Sequence, residues 1–156
     1  MKPENSAAIP GPTIARVSSA TNPKLDKRHD KRVKLTLEAG HAGNAMVMHC
    51  QGRIVFGSEA RALSTLVAEV LPSARRMVVD LAEVDSIDSG GLGELVLTHL
   101  WAEAAGYALK FACPRKSVRQ LFEITNLVSV LDIYSSVPEA MVAMVQETAQ
   151  EDIHCA

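Results

Sequence analysis

At 156 residues, 47% hydrophobic but only 4% aromatic, the chain has the apolar content for one ordinary core built mainly of aliphatic side chains. It holds nothing near the roughly 18 uninterrupted apolar residues of a membrane span, and Met1-Lys2-Pro3-Glu4-Asn5 lacks the apolar stretch of a secretory signal, so a soluble, cytoplasmic protein is expected. The formal charge of −2 divides unevenly: residues up to Val33 carry seven Lys/Arg against three Asp/Glu, and the remainder nine against fifteen.

The basic segment from Lys24 to Arg32 is interrupted by Asp26 and Asp30 and has no interleaved aromatic for base stacking, which favours a solvated tail over direct contact with nucleic acid. Pro3, Pro10, Pro12 and Pro23 among Ser, Ala, Asn and Gly leave residues 1–32 too little apolar content to order a backbone, and this stretch is read as disordered. Cys50, Cys113 and Cys155 are odd in number and widely spaced, as in a reducing compartment; the first two read as small core hydrophobes.

Alternation from Val33 to Glu38 predicts a half-buried strand, Gly40 to Asn44 a turn, and Ala45 to Cys50 a second strand that Gly52 ends, together an antiparallel hairpin. Ser58 is a candidate cap for a helix with Ala60, Leu63, Leu66, Val67, Val70 and Leu71 on one face, stopped by Pro72. Arg76 to Leu81 reads as the central strand. The helix from Gly91 to Ala105 would bury Leu92, Leu95, Val96, Leu100 and Trp101 and close at Gly106.

Tyr107 to Cys113 predicts another strand, Val118, Leu121 and Phe122 a third helix, and Leu131 to Tyr134 a short strand or an extended link. Ser136, Pro138 and Glu139 signal the start of a last helix that would dock through Met141, Val142 and Val145. The order implies an α/β fold with a mixed sheet of four or five strands, an N-terminal hairpin, later parallel strands and about four helices, with polar loops at the strands' carboxyl ends as the place for a partner.

Such a loop is Val84-Asp85-Ser86-Ile87-Asp88-Ser89-Gly90-Gly91-Leu92-Gly93. Glycines around a helix start let a partner approach the backbone, and the free N–H groups there favour an anion such as a phosphate on Ser89. The residues alone are served as well by Ser89 or Asp88 as an N-cap and glycines that allow close packing, and the frequency of Ser and Asp caps favours that plainer reading.

The segment Val79 to Gly93 resembles the central signature of the STAS family of bacterial anti-sigma factor antagonists, and the likeness continues through Ala104 to Lys110 and Ser117 to Leu127. It covers about Val33 to Val145 and reverses the preference just stated. It implies a STAS domain over 33–148, with 149–156 a C-terminal tail. It also implies phosphorylation of Ser89 by an anti-sigma factor that is itself a kinase. The unphosphorylated form would bind that partner and release a sigma factor; a serine phosphatase would restore it; ATP and magnesium would belong to the kinase, and this chain would need no cofactor.

The same resemblance puts the partner-binding surface on Arg53, Ile54, Val55, Phe56, Gly57, Ser58, Asp88, Ser89, Gly90, Gly91, Leu92 and Glu94. The loop after the second strand is acidic in the family, but here Arg53 stands where an acid is usual and Val55 replaces an aspartate. Either the partner has diverged or binding persists without phosphorylation. The alternative function is therefore a non-phosphorylated scaffold or accessory subunit of a stress-sensing or lipid-transport complex.

Catalysis is not expected. A Gly-x-Ser-x-Gly elbow needs glycine where Ile87 stands, and Gly90 to Gly93 lack the lysine and Ser/Thr of a phosphate-binding loop. His29, His41, His49, His99 and His154 show no metal-ligand spacing.

Overall fold

The computed structural model describes the backbone of residues 15–18 and 35–155, and the side chains of 35–147. The strands are β1 (Ala15–Ser18), β2 (Leu35–Ala42), β3 (Ala45–Ile54), β4 (Arg76–Ile87), β5 (Ala108–Ala112) and β6 (Ile133–Tyr134). The helices are α1 (Ser58–Ala74), α2 (Ser89–Ala105), α3 (Lys116–Ile124) and α4 (Val137–Cys155), with a 3-10 turn at Leu127–Ser129. They form one six-stranded sheet in which spatial order repeats chain order.

The first two pairings are antiparallel and the last three parallel, as the alternation of elements predicts. Each parallel step moves one place in the same direction, so crossovers of one hand put all the connecting helices on one face. Leu63 and Leu71 of α1, Leu92 and Leu95 of α2, and Val118 and Phe122 of α3 accordingly share a core with Leu37, Met48, Val79 and Phe111 of the sheet. The other face carries a smaller cluster, Val47, Val78 and Ala112 against Ala140 and Met144 of α4.

Within residues 1–32, read as disordered, Ala15–Ser18 pair antiparallel with β2 as an edge strand, and Val33 falls outside the described residues. The hairpin turn is tighter than predicted: β2 runs through Gly40 to Ala42, and only Gly43 (φ 64°) and Asn44 turn. Gly52 does not end β3, which continues to Ile54. Glycine is needed there because φ is 122° at a register shift against β4.

That register explains why β4 is twice its predicted length. His49 and Gln51 oppose Asp80 and Glu83, and Gly52 and Arg53 oppose Val84 and Ser86, so β4 twice holds one residue more than β3. The two bulges keep Leu81, Val84 and Ile87, three residues apart, on the core side. Strict alternation would have turned Val84 to solvent.

Ser58 is not the cap of α1. Gly57 holds that position at φ 108°, and the Ser58 hydroxyl donates to Glu59 Oε1 at 3.2 Å. Pro72 lies inside α1; so near the end it forgoes one bond, to the Ala68 carbonyl, and the helix closes at Arg75 in the left-handed conformation, its N–H 2.6 Å from the Leu71 carbonyl.

In α2 the buried stripe is Leu92, Leu95, Thr98, His99 and Ala102, closed at Gly106 as predicted, whereas Leu100 and Trp101 face outward. In α4 the Ser136 cap holds, accepting from the Glu139 N–H at 3.2 Å. That helix docks through Ala140 and Met144 with Met141 packed beside them, leaves Val142 and Val145 exposed, and runs on to Cys155 through the segment assigned to a tail.

Candidate functional site

Where β4 ends, Ile87 is buried and Asp88 turns the chain into α2. Asp88 is the N-cap: its Oδ1 accepts from the Gly91 N–H at 2.7 Å, satisfying one of the unpaired donors of the first turn. The Phe56 N–H donates to the same carboxylate, 3.0 Å from Oδ1, and binds the loop after β3 to the start of α2. The Gly91 N–H above all, joined by those of Phe56 and Gly90 and by the charge of Arg53, holds the Asp88 carboxyl below the usual carboxylate range against a small cost of desolvation.

The glycines have separate reasons. A Cβ on Gly91 would run into the backbone carbonyl of Ile54, and one on Gly90 into the Phe56 side chain. Gly93 has nothing near its Cβ position. The first two let α2 press against the end of β3, where the Ile54 carbonyl also accepts from the Asp88 N–H at 3.3 Å.

Ser89 is the first residue of α2 and is exposed. Its hydroxyl enters no hydrogen bond among the described residues. Ser89 is therefore not the cap; Asp88 does that work and leaves the hydroxyl free beside the positive end of a 17-residue helix.

Of the residues assigned to partner binding, Arg53, Phe56, Ser58, Asp88 and Ser89 are exposed, and Val55, Gly57, Gly90 and Glu94 are half-buried. Ile54, Gly91 and Leu92 are buried and form the floor of the site. Phe56 is 78% exposed, which removes it from the core.

Two residues of the surroundings escaped the sequence reading. Ser86 accepts from Arg53 Nε at 3.0 Å and fixes that guanidinium beside the cap. Arg115 pairs with Asp85 at 2.5 Å and donates through Nε to the Ala82 carbonyl at 3.0 Å, so Asp85 does not face Ser89 as an uncompensated charge. Bulges in β4 create both contacts, and no local sequence pattern announces them.

At the far end of α2, His99, Glu103 and Asp132 bring metal-type donor atoms within 4.8 Å of one another. The Lys110 ammonium already bonds Asp132 at 3.0 Å and Glu147 at 2.8 Å, so a cation occupies that neighbourhood. Cys50 is buried, and burial pushes its thiol well above the ordinary value. No helix among the described residues is long and apolar enough to cross a membrane.

The STAS domain family model matches residues 36–140. Among solved structures, an anti-sigma factor antagonist from Mycobacterium paratuberculosis superimposes with a TM-score of 0.61 at 21% identity, covering 70% of this chain and 92% of its own. A Thermotoga maritima protein crystallised as a candidate anti-sigma factor antagonist gives 0.58 at 23%, covering 67% and 91%. The anti-sigma factor antagonist SpoIIAA of Bacillus gives 0.56 at 15% unphosphorylated, covering 71% and 96%, and 0.52 at 14% phosphorylated, covering 70% and 98%. At these identities the likeness is one of fold, and no curated protein sequence matches the chain. On the strength of the family match across the hairpin, the parallel strands and the Asp88 to Gly93 segment, the chain belongs to the STAS domain family.

Proposed function

We propose that this protein is a cytoplasmic anti-sigma factor antagonist that binds a kinase-type anti-sigma factor while Ser89 is unphosphorylated, so releasing a sigma factor, and that phosphorylation of Ser89 ends the interaction. The observation that carries this reading is the exposed, unbonded Ser89 hydroxyl directly after the Asp88 cap. The domain does not need that hydroxyl for its own structure, and a kinase can reach it.

A phosphate there adds a charge near −2 and three acceptor oxygens. The helix start and the nearby Arg53 favour it locally, so the domain need not refold. The altered charge acts on whatever covers the surface, a local electrostatic block. We assign the chain no reaction of its own; ATP and magnesium would come with the kinase, and a separate phosphatase would reset the serine.

Arg53 and Val55 favour a second reading, a STAS scaffold that binds without being phosphorylated, because they remove the acids usual in that loop. Intact-mass measurement after incubation with ATP, magnesium and the anti-sigma kinases of the source organism separates the two. One added phosphate, absent in Ser89→Ala, supports the switch. A stable complex with no mass change moves the assignment to the scaffold.

A further inference from the structure

The outward face of α2 carries an uncharged strip along its length, bordered by Glu94 on one side and Glu103 on the other. Residues 89, 90, 93, 97, 100, 101 and 104 fall within a third of a turn of one line and are Ser, Gly, Gly, Leu, Leu, Trp and Ala. Leu97 is 63% exposed, Leu100 48% and Trp101 40%. An apolar strip of this kind ordinarily faces a core or a partner, yet on this helix it is open. The stripe begins at Ser89 and is flanked there by Phe56, which lies against Gly90.

We propose that this stripe is the long axis of the docking surface for the anti-sigma partner, an inference that rests on the function proposed above. The occupant is a protein surface whose apolar side chains cover Gly93, Leu97 and Leu100, with a carboxylate meeting Arg53 at the Ser89 end. Continuity supports this choice: a body seated on Leu97 and Phe56 also covers Ser89, which places the phosphate at the edge of a dry contact where desolvating it costs most. The other exposed apolar residues, Ile124, Val128 and Val130 beyond α3 and Val142 and Val145 on α4, have no such connection to Ser89.

The test is binding of the full chain to the anti-sigma factor that the wild type captures, with sedimentation of each variant alone. Leu97→Glu places a charge mid-stripe at an exposed helical site; Gly93→Glu does so one turn nearer Ser89, where no atom lies in its way. Each is expected to raise Kd at least tenfold without lowering the melting temperature, while Val142→Glu, under the opposite face of the sheet, leaves Kd unchanged. Wild-type affinity in both folded variants overturns the stripe and leaves the proposed function standing. Capture of no anti-sigma factor by the wild type overturns both. A wild-type dimer that Leu97→Glu dissociates without altering partner affinity assigns the face to a second copy of this chain and overturns the inference.

Discussion

The backbone N–H of Phe56 reaches the carboxylate of Asp88 at 3.0 and 3.1 Å from its two oxygens, although 32 residues separate them. One side chain thus fixes both the helix start that carries Ser89 and the loop that carries Phe56. The two halves of the candidate site are held in register by a single group.

Replacing Asp88 by alanine is expected to lower stability at pH 7 by about 1–2 kcal/mol, from loss of the cap and the loop bond. The folded carboxyl lies below its ordinary range, so its contribution is complete above the unfolded value near 4 and fades as pH falls through the folded value. The gap between the urea midpoints of wild type and Asp88→Ala should therefore narrow as pH falls below the ordinary carboxylate range. A gap as wide at pH 2 as at pH 7 would refute this account of the cap.

Gly91 and Gly93, with only Leu92 between them, should answer alanine in opposite directions. Gly91→Ala drives a methyl into the Ile54 carbonyl and is expected to cost about 1–3 kcal/mol. Gly93→Ala meets nothing and gains helix propensity, stabilising by roughly 0.5–1 kcal/mol. Thermal midpoints of the two variants decide the matter, and equal shifts would count against the packing described.

For the switch, Ser89→Ala should keep partner affinity while Ser89→Asp weakens it several-fold, read by titration calorimetry. Arg53→Glu should also weaken binding, and more at low ionic strength than at high, because like charges then meet at the Ser89 end. Equal affinities for both Ser89 variants would remove that serine from the mechanism.

Lys110 is only 2% exposed, and its ammonium lies between Asp132 and Glu147. Burial alone would pull its pKa down, but the bonds to Glu147 and Asp132 outweigh that and leave it above the ordinary value, so its contribution is full below about pH 10 and is lost at higher pH. Lys110→Met is expected to fall within about 1 kcal/mol of wild type. The double variant Asp132→Asn with Glu147→Gln strands the cation and should cost about 3 kcal/mol. Chemical denaturation at pH 7 orders the two, and the reverse order would show the acids to be idle.

The sequence made the hairpin, the parallel strands and the Ser89 segment legible, because alternation, glycine stops and a capped helix start are local signals. It hid the true length of β4, since core residues spaced by three at Leu81, Val84 and Ile87 match neither strand nor helix periodicity. The face of α2 was also misread. With Leu, Val, Trp and Ala on every side, periodicity cannot choose, and it was His99 and Thr98, polar residues, that went inside. A single aromatic between Val55 and Gly57 carries no local signal for core or surface, and it is the Gly90 contact and its exposure that place Phe56 at the surface.

The strands lie side by side in the order in which they are made. No later strand has to insert between two earlier ones, so from the β2–β3 hairpin onward the sheet can grow at one edge as the chain leaves the ribosome. Each addition brings a helix that seals the same face. Beyond the hairpin each parallel ladder joins strands that are consecutive in the chain, as Met46 with Met77 and Phe111 with Ile133. No pairing therefore waits for a distant part of the sequence, and few stages leave a broad unpaired apolar surface.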